Sequence, residues 1–191
     1  KVFRHRAGDD PESDALVYEE SDPGFFVSIG KTESRRFIVI KSSDHALTAE
    51  IRIIDADSSN SLPLLFAERE AGVDYDVSDH GDRFFILTNT GDALDYKIME
   101  TPLEKVGREH WRDNVAHTPG RLIKSLSVYR EYLVWLELAE GLPRLVVTRI
   151  TDGERHEVVF GEEAYDLGII SGFEFDTEKL RFSYSSLITP Q

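Results

Sequence analysis

The sequence predicts an all-β chain: part of a β-propeller made of four-stranded antiparallel blades, with three complete blades and a half blade at each end. Three observations predict it. Short runs of alternating apolar and polar residues, broken by turn residues, fill almost the whole 191-residue chain. The runs that open each unit start at Phe25, Val73, Leu122 and Ile169. Those that follow start at Arg36, Arg83, Tyr132 and Leu180, so the unit recurs every 47 to 49 residues. Four short strands per unit of that length is the pattern of a propeller blade. A sandwich also spaces its strands evenly, but nothing makes it hold one period over three intervals.

The elements follow in order. Lys1 to Arg6 reads as a strand, Gly8 to Ser13 as a polar loop in which Asp10-Pro11-Glu12 starts one helical turn, and Ala15 to Glu20 as a second strand. The first full unit has strands at Phe25–Ile29, Arg36–Ile40, Glu50–Ile54 and Leu62–Phe66, with turns at Gly30–Ser34 and Ser42–Asp44. The second has Val73–Val77, Arg83–Leu87, Asp95–Met99 and a short strand ending at Asn114-Val115, with one helical turn near Arg108–Trp111. The third has Leu122–Leu126, Tyr132–Leu136, Arg144–Thr148 and Glu157–Phe160, with a turn at Thr151–Glu154 before the last. A fourth opens with Ile169–Phe173 and Leu180–Tyr184. One partial propeller domain over residues 1–191 is therefore expected. It divides into a half blade at 1–20, blades at about 25–66, 73–115 and 122–160, and a half blade at 169–187. Phe25, Phe26, Phe37, Phe84, Phe85 and Phe182 fall at equivalent strand positions, where they would pack blade against blade. A propeller that begins and ends in mid-blade is expected to be a piece of a longer chain. Its open blade edges would favour self-association over closure into a small ring, because interfaces shaped for one blade angle resist another.

Composition removes several function classes. Lys and Arg number 22 against 36 Asp and Glu, a net charge of −14, which leaves no basic footprint for nucleic acid. It reads as a well-solvated acidic surface, or as a field that favours cationic ligands. No run of 18 apolar residues offers a membrane span. The absence of Cys excludes disulfides, thiolate metal sites and a Cys nucleophile, and fits a reducing, cytoplasmic setting.

No Gly-x-Ser-x-Gly elbow, His-Glu-x-x-His, P-loop or Gly-x-Gly-x-x-Gly occurs. Ser185-Ser186 lacks the flanking glycines of an elbow. The histidines (His5, His45, His80, His110, His117 and His156) show no metal-ligand spacing, so no catalytic residue, metal or cofactor is placed in this chain. The remaining candidates are charged interface residues. Glu19 and Glu20 directly follow a strand and so hold fixed positions from which to face a cationic partner. Arg35, with Arg36 beside it, and Arg69 are the basic counterparts, which read first as edge-strand charges that block aggregation and only then as binding residues.

Several segments carry a resemblance. They are Leu16–Glu20, Phe26–Ile29, Ser34–Ile40, Glu50–Arg52 with Asp55-Ala56, Gly81–Asn89, Gly141-Leu142 and Leu180–Pro190. In this order, over nearly the whole chain, they resemble the oligopeptidase B (protease II) branch of the prolyl oligopeptidase family. The resemblance implies a seven-bladed propeller set over an α/β-hydrolase domain that holds the Ser, Asp and His. It also implies short peptide substrates cut after Arg or Lys, and a propeller that gates access to the site. None of the family's triad positions falls within these residues. The chain departs from the pattern at Trp135-Leu-Glu-Leu138, where the family tends to have Glu-Arg: Glu137 matches, and Leu138 stands where the basic residue would be. The other reading is a non-catalytic propeller that binds a protein or small ligand through its loops.

Overall fold

A computed structural model of the chain describes residues 1–45, 47–58, 61–170, 172 and 174–187. Its sheets are antiparallel meanders. Strands β1 (Val2–Arg4) and β2 (Ala15–Tyr18) form a two-stranded sheet. Four-stranded blades follow. The first contains β3 (Phe26–Lys31), β4 (Phe37–Ser43), β5 (Ala49–Asp55) and β6 (Leu64–Leu65). The second contains β7 (Tyr75–His80), β8 (Arg83–Thr88), β9 (Lys97–Pro102) and β10 (Arg112–Val115). The third contains β11 (Arg121–Val128), β12 (Tyr132–Ala139), β13 (Leu142–Arg149) and β14 (Arg155–Val158). A second two-stranded sheet pairs β15 (Tyr165–Ile169) with β16 (Phe182–Ser186). This is the β-propeller architecture that the period predicts. The two expected helical turns are single 3₁₀ turns, Pro11–Ser13 capped by the Asp10 side chain, and Arg108–His110. No helix among the described residues is long and apolar enough to cross a membrane.

Alternation along the second strand builds the core of the second and third blades, while in the first blade Ala49, Ile51 and Ile53 of β5 supply it. On β8, Phe84 and Ile86 face the first blade, while Phe85 and Leu87 face the third; Phe84 is 0% and Phe85 1% exposed. β12 repeats this, with Leu133 and Trp135 toward the second blade and Val134 and Leu136 toward β15–β16. Each central sheet is thus covered on both faces, so neighbouring residues in one strand are both buried. Tyr75 is fully buried and ties elements together: its hydroxyl accepts from the Ile51 N–H (2.9 Å) and donates to the Ala67 carbonyl (3.1 Å). The hairpins turn on left-handed residues. Gly81 (φ 58°) opens the β7–β8 turn, and Glu140 and Gly141 (φ 54° and 82°) form the β12–β13 turn, the conformation that two-residue hairpins require.

The structure shifts some boundaries. The first strand of the last sheet is Tyr165–Ile169, ending where the expected Ile169–Phe173 strand begins; Phe173 lies outside the described residues. Tyr165, Leu167 and Ile169 alternate with Asp166 and Gly168 and pack on the third blade, a period that the interposed acid and glycine conceal. Its partner is Phe182–Ser186 rather than Leu180–Tyr184. Two aromatics expected between blades are more open. Phe26 is 57% exposed and rests on the His45 ring (4.5 Å), because it starts β3 at the rim. Phe182 is 36% exposed and edge-on to Phe160. Phe25 lies before β3, beneath a guanidinium.

Candidate functional site

The first strands of the three full blades meet at one cavity of about 380 Å³, lined from β3, β7 and β11. Those strands therefore face a common axis. Their polar residues there, Ser28, Asp76, Ser78, Lys124 and Ser125, are interleaved with apolar Ile29, Val77 and Leu126. β11 has a bulge between Ile123 and Ser125, and the bulged residue, Lys124, is an exposed lining residue of the cavity. Lys41, on β4, lies between blades and donates to Asp76 (2.9 Å) and Asp74 (3.0 Å). Burial alone would lower the pKa of this ammonium. The two carboxylates, Asp76 foremost, outweigh that and raise it, so Lys41 is charged. The Tyr96 hydroxyl donates to Asp74 (3.1 Å), and burial with that carboxylate pushes its pKa up to about 12. The cavity wall is thus mixed, with the charged Lys41–Asp76 pair held beside apolar side chains. Nothing in it pairs a nucleophile with a base.

The charged residues singled out in the sequence do not converge there. Glu20 and Arg69 come together at the seam between β1–β2 and the first blade. Arg69 donates to Glu20 (2.6 Å) and lies 3.7 Å over the Phe25 ring. Ser42 and the Tyr18 hydroxyl (3.0 Å) donate to one oxygen of Glu20, and the Asp22 N–H (2.9 Å) to the other. Desolvation pushes the Glu20 pKa up, but the bonds from Ser42, Asp22, Arg69 and Tyr18 prevail and hold it at about 2. Glu19 instead pairs with Lys1 (2.8 Å) in solvent. Arg35 stands exposed at φ 64° in the β3–β4 turn, and the Arg36 guanidinium donates to the Gly81 carbonyl (3.1 Å), linking two blades. Arg69 is therefore not an edge charge but a seam residue.

Two polar centres are completed only by the fold. Asp74 and Asp76 were legible as the polar face of Val73–Val77, but their partner Lys41 is visible only in the fold. Glu137 is 3% exposed and has no basic neighbour at Leu138. Its charge is met from other strands, by Arg121 (2.7 Å) and Arg155 (3.7 Å), with the Trp135 indole donating to it (2.9 Å). Among the described residues, no group of three or more His, Asp or Glu is placed to hold a metal ion.

Comparison with known proteins agrees with this geometry. Residues 1–191 match the family described as prolyl oligopeptidase, N-terminal beta-propeller domain. The chain is 35% identical to dipeptidyl aminopeptidase BI of Pseudoxanthomonas mexicana and 34% identical to protease 2 of Moraxella lacunata. It is aligned over its full length with each, but over 26% and 27% of theirs. It thus spans about a quarter of these relatives. Among solved structures, oligopeptidase B from Leishmania major superposes with a TM-score of 0.89 at 29% identity, covering 97% of this chain and 27% of that one. Oligopeptidase B from Trypanosoma brucei, in a closed form with covalently bound antipain, shares the fold with a TM-score of 0.90 at 24% identity, again over 97% and 27%. The chain belongs to the prolyl oligopeptidase family, as a part of its N-terminal β-propeller domain.

Proposed function

We propose that this chain is the gating propeller of a serine oligopeptidase that cleaves short peptides after Arg or Lys. The whole-length family match, over only a quarter of the length of the relatives, carries the reading. In it, seven blades surround the axis, and an α/β-hydrolase domain outside these residues supplies the nucleophile, base and acid. The propeller acts by exclusion. Its axial opening admits an extended peptide and rejects a folded protein, while the net charge of −14 attracts cationic peptides. The Lys41–Asp74–Asp76 cluster keeps the first and second blades from parting at the axis. This reading takes the enzyme as cytoplasmic, a setting that the Cys-free sequence fits. Prepared alone, the 191 residues are expected to self-associate through open sheet edges, which light scattering checks.

Fluorogenic peptides ending in Arg, Lys or Pro, offered to the enzyme that carries this propeller, test the proposal. Turnover after Arg and Lys, abolished by a serine-directed inhibitor and absent from the isolated 191 residues, is expected. Turnover after Pro alone, or none, overturns it.

A further inference from the structure

Propeller blades spread apart toward their outer strands, so each seam is either filled there or left open. The seam between the first and second blades is filled. The connection from β9 to β10, residues 103–111, folds over it and inserts Trp111, which is 4% exposed against Phe66 and Tyr75. The matching connection of the third blade, residues 150–154, is a short turn. It leaves a cavity of about 510 Å³ at the seam with the second blade, within the size range of small-molecule sites. The walls follow from strand register. Leu133, Thr148 and Arg155 form one row across β12, β13 and β14, and Trp135 stands in the next row. The facing wall has Phe85 and Glu100, paired across β8 and β9, with Arg83 at the start of β8. This cavity shares no lining residue with the one at the axis.

Three arginines reach this cavity, and two of them are occupied. Arg83 donates to Asp82 (3.1 Å) and Glu100 (3.3 Å), and Arg149 donates to Asp152 (2.8 Å) and pairs with Glu154 (2.6 Å). Arg155 differs. Its guanidinium lies 4.9 Å over the Trp135 ring, while the carboxylates of Glu157 and Glu137 stand off at 3.6 and 3.7 Å, too long for hydrogen bonds. Stacking on the indole therefore orients a planar fork whose donors are still to be used. Beside it, Thr148 Oγ1 is buried with no hydrogen-bond partner among the described residues, an unmet group that a ligand would satisfy. Glu100 faces the same space, but Arg83 and the Asn114 amide (3.2 Å) hold its carboxylate. We infer that this cavity binds a small organic anion, an acidic oxygen group carried on an apolar body. Arg155 and Thr148 take the acidic group, and Phe85, Leu133 and Ile150 bed the body. A guanidinium fork suits carboxylate and phosphate alike.

Calorimetric titration of the full-length enzyme with phenylacetate, phenyl phosphate, phenylacetamide and inorganic phosphate tests this. Phenylacetate or phenyl phosphate is expected to bind, and the tighter of the two names the acidic group. Phenylacetamide lacks the charge and inorganic phosphate lacks the body, so each should bind about tenfold more weakly or worse. Arg155→Gln should weaken the aromatic anion about tenfold or more. Arg155 is an exposed residue of an outer strand, and Glu137 keeps Arg121 and the Trp135 indole without it. Thr148→Val keeps the shape of the side chain and should weaken the same anion about threefold or more. Because that hydroxyl has no partner in the protein, the variant's unfolding midpoint without ligand should match or exceed the wild type's. No binding of either aromatic anion overturns the inference. So does binding that both variants leave unchanged, or inorganic phosphate held as tightly as phenyl phosphate.

Discussion

The first full blade is bounded by two seams of opposite chemistry. Toward the second blade, Phe37, Phe66, Phe84, Tyr75 and Trp111 pack ring on ring, with Phe66 edge-on to Phe84 at 5.1 Å. Toward β1–β2, the contact is polar and directional: Glu20 at the centre, Arg69 between it and Phe25, and Arg52 over the Tyr18 ring at 4.6 Å. Apolar packing depends on area and tolerates sliding and pH. A carboxylate held by four donors depends on geometry and charge. The polar seam is therefore the junction that proton binding or a single isosteric change can open.

The largest expected effect lies on the aromatic side. Phe84→Ala and Phe85→Ala should each cost about 3–5 kcal/mol in denaturant unfolding, because the two rings fill different interfaces. One silent substitution would mean an open sheet face and would break the comparison. Glu20→Gln should cost about 1–3 kcal/mol, since Arg69 is left facing a neutral group. Its pH dependence sharpens the contrast. The folded pKa of about 2 lies below the ordinary 4.5, so the stabilisation is complete above 4.5 and fades as pH falls toward 2. Acid titration of the wild type and of Glu20→Gln should converge there.

Glu33 should behave in the opposite sense. Burial raises its pKa, Asp79 adds to this, and the Ser78 hydroxyl (2.9 Å) only partly offsets it. Its contribution is full below the ordinary carboxylate value and lost as pH rises through the raised one. Glu33→Gln should flatten that part of the stability profile. The smallest effect belongs to Arg35→Ala, within about 0.5 kcal/mol, because the side chain is an exposed turn residue.

Blade order and strand identity were legible because alternation and period are local signals, as in Arg83–Leu87, which became β8 almost unchanged. The last sheet was less legible because Asp166 and Gly168 interrupt its apolar run. The polar seam was half legible. Position alone marked Glu20, but Arg69, 49 residues away, was read as an edge charge, since only the stacking of blades brings the two together. Glu137 shows the same limit: its neighbour in sequence is Leu138, and its arginines come from β11 and β14.

Native-state hydrogen exchange on wild-type and Glu20→Gln protein tests the difference between the seams most directly. The account predicts that the β1–β2 amides of Phe3, Leu16 and Tyr18 exchange through an opening that Glu20→Gln accelerates about tenfold or more. The β8 amides of Phe84 to Leu87 should keep their wild-type rates. If both sets accelerate together, the blades open as one unit and the polar seam has no separate existence.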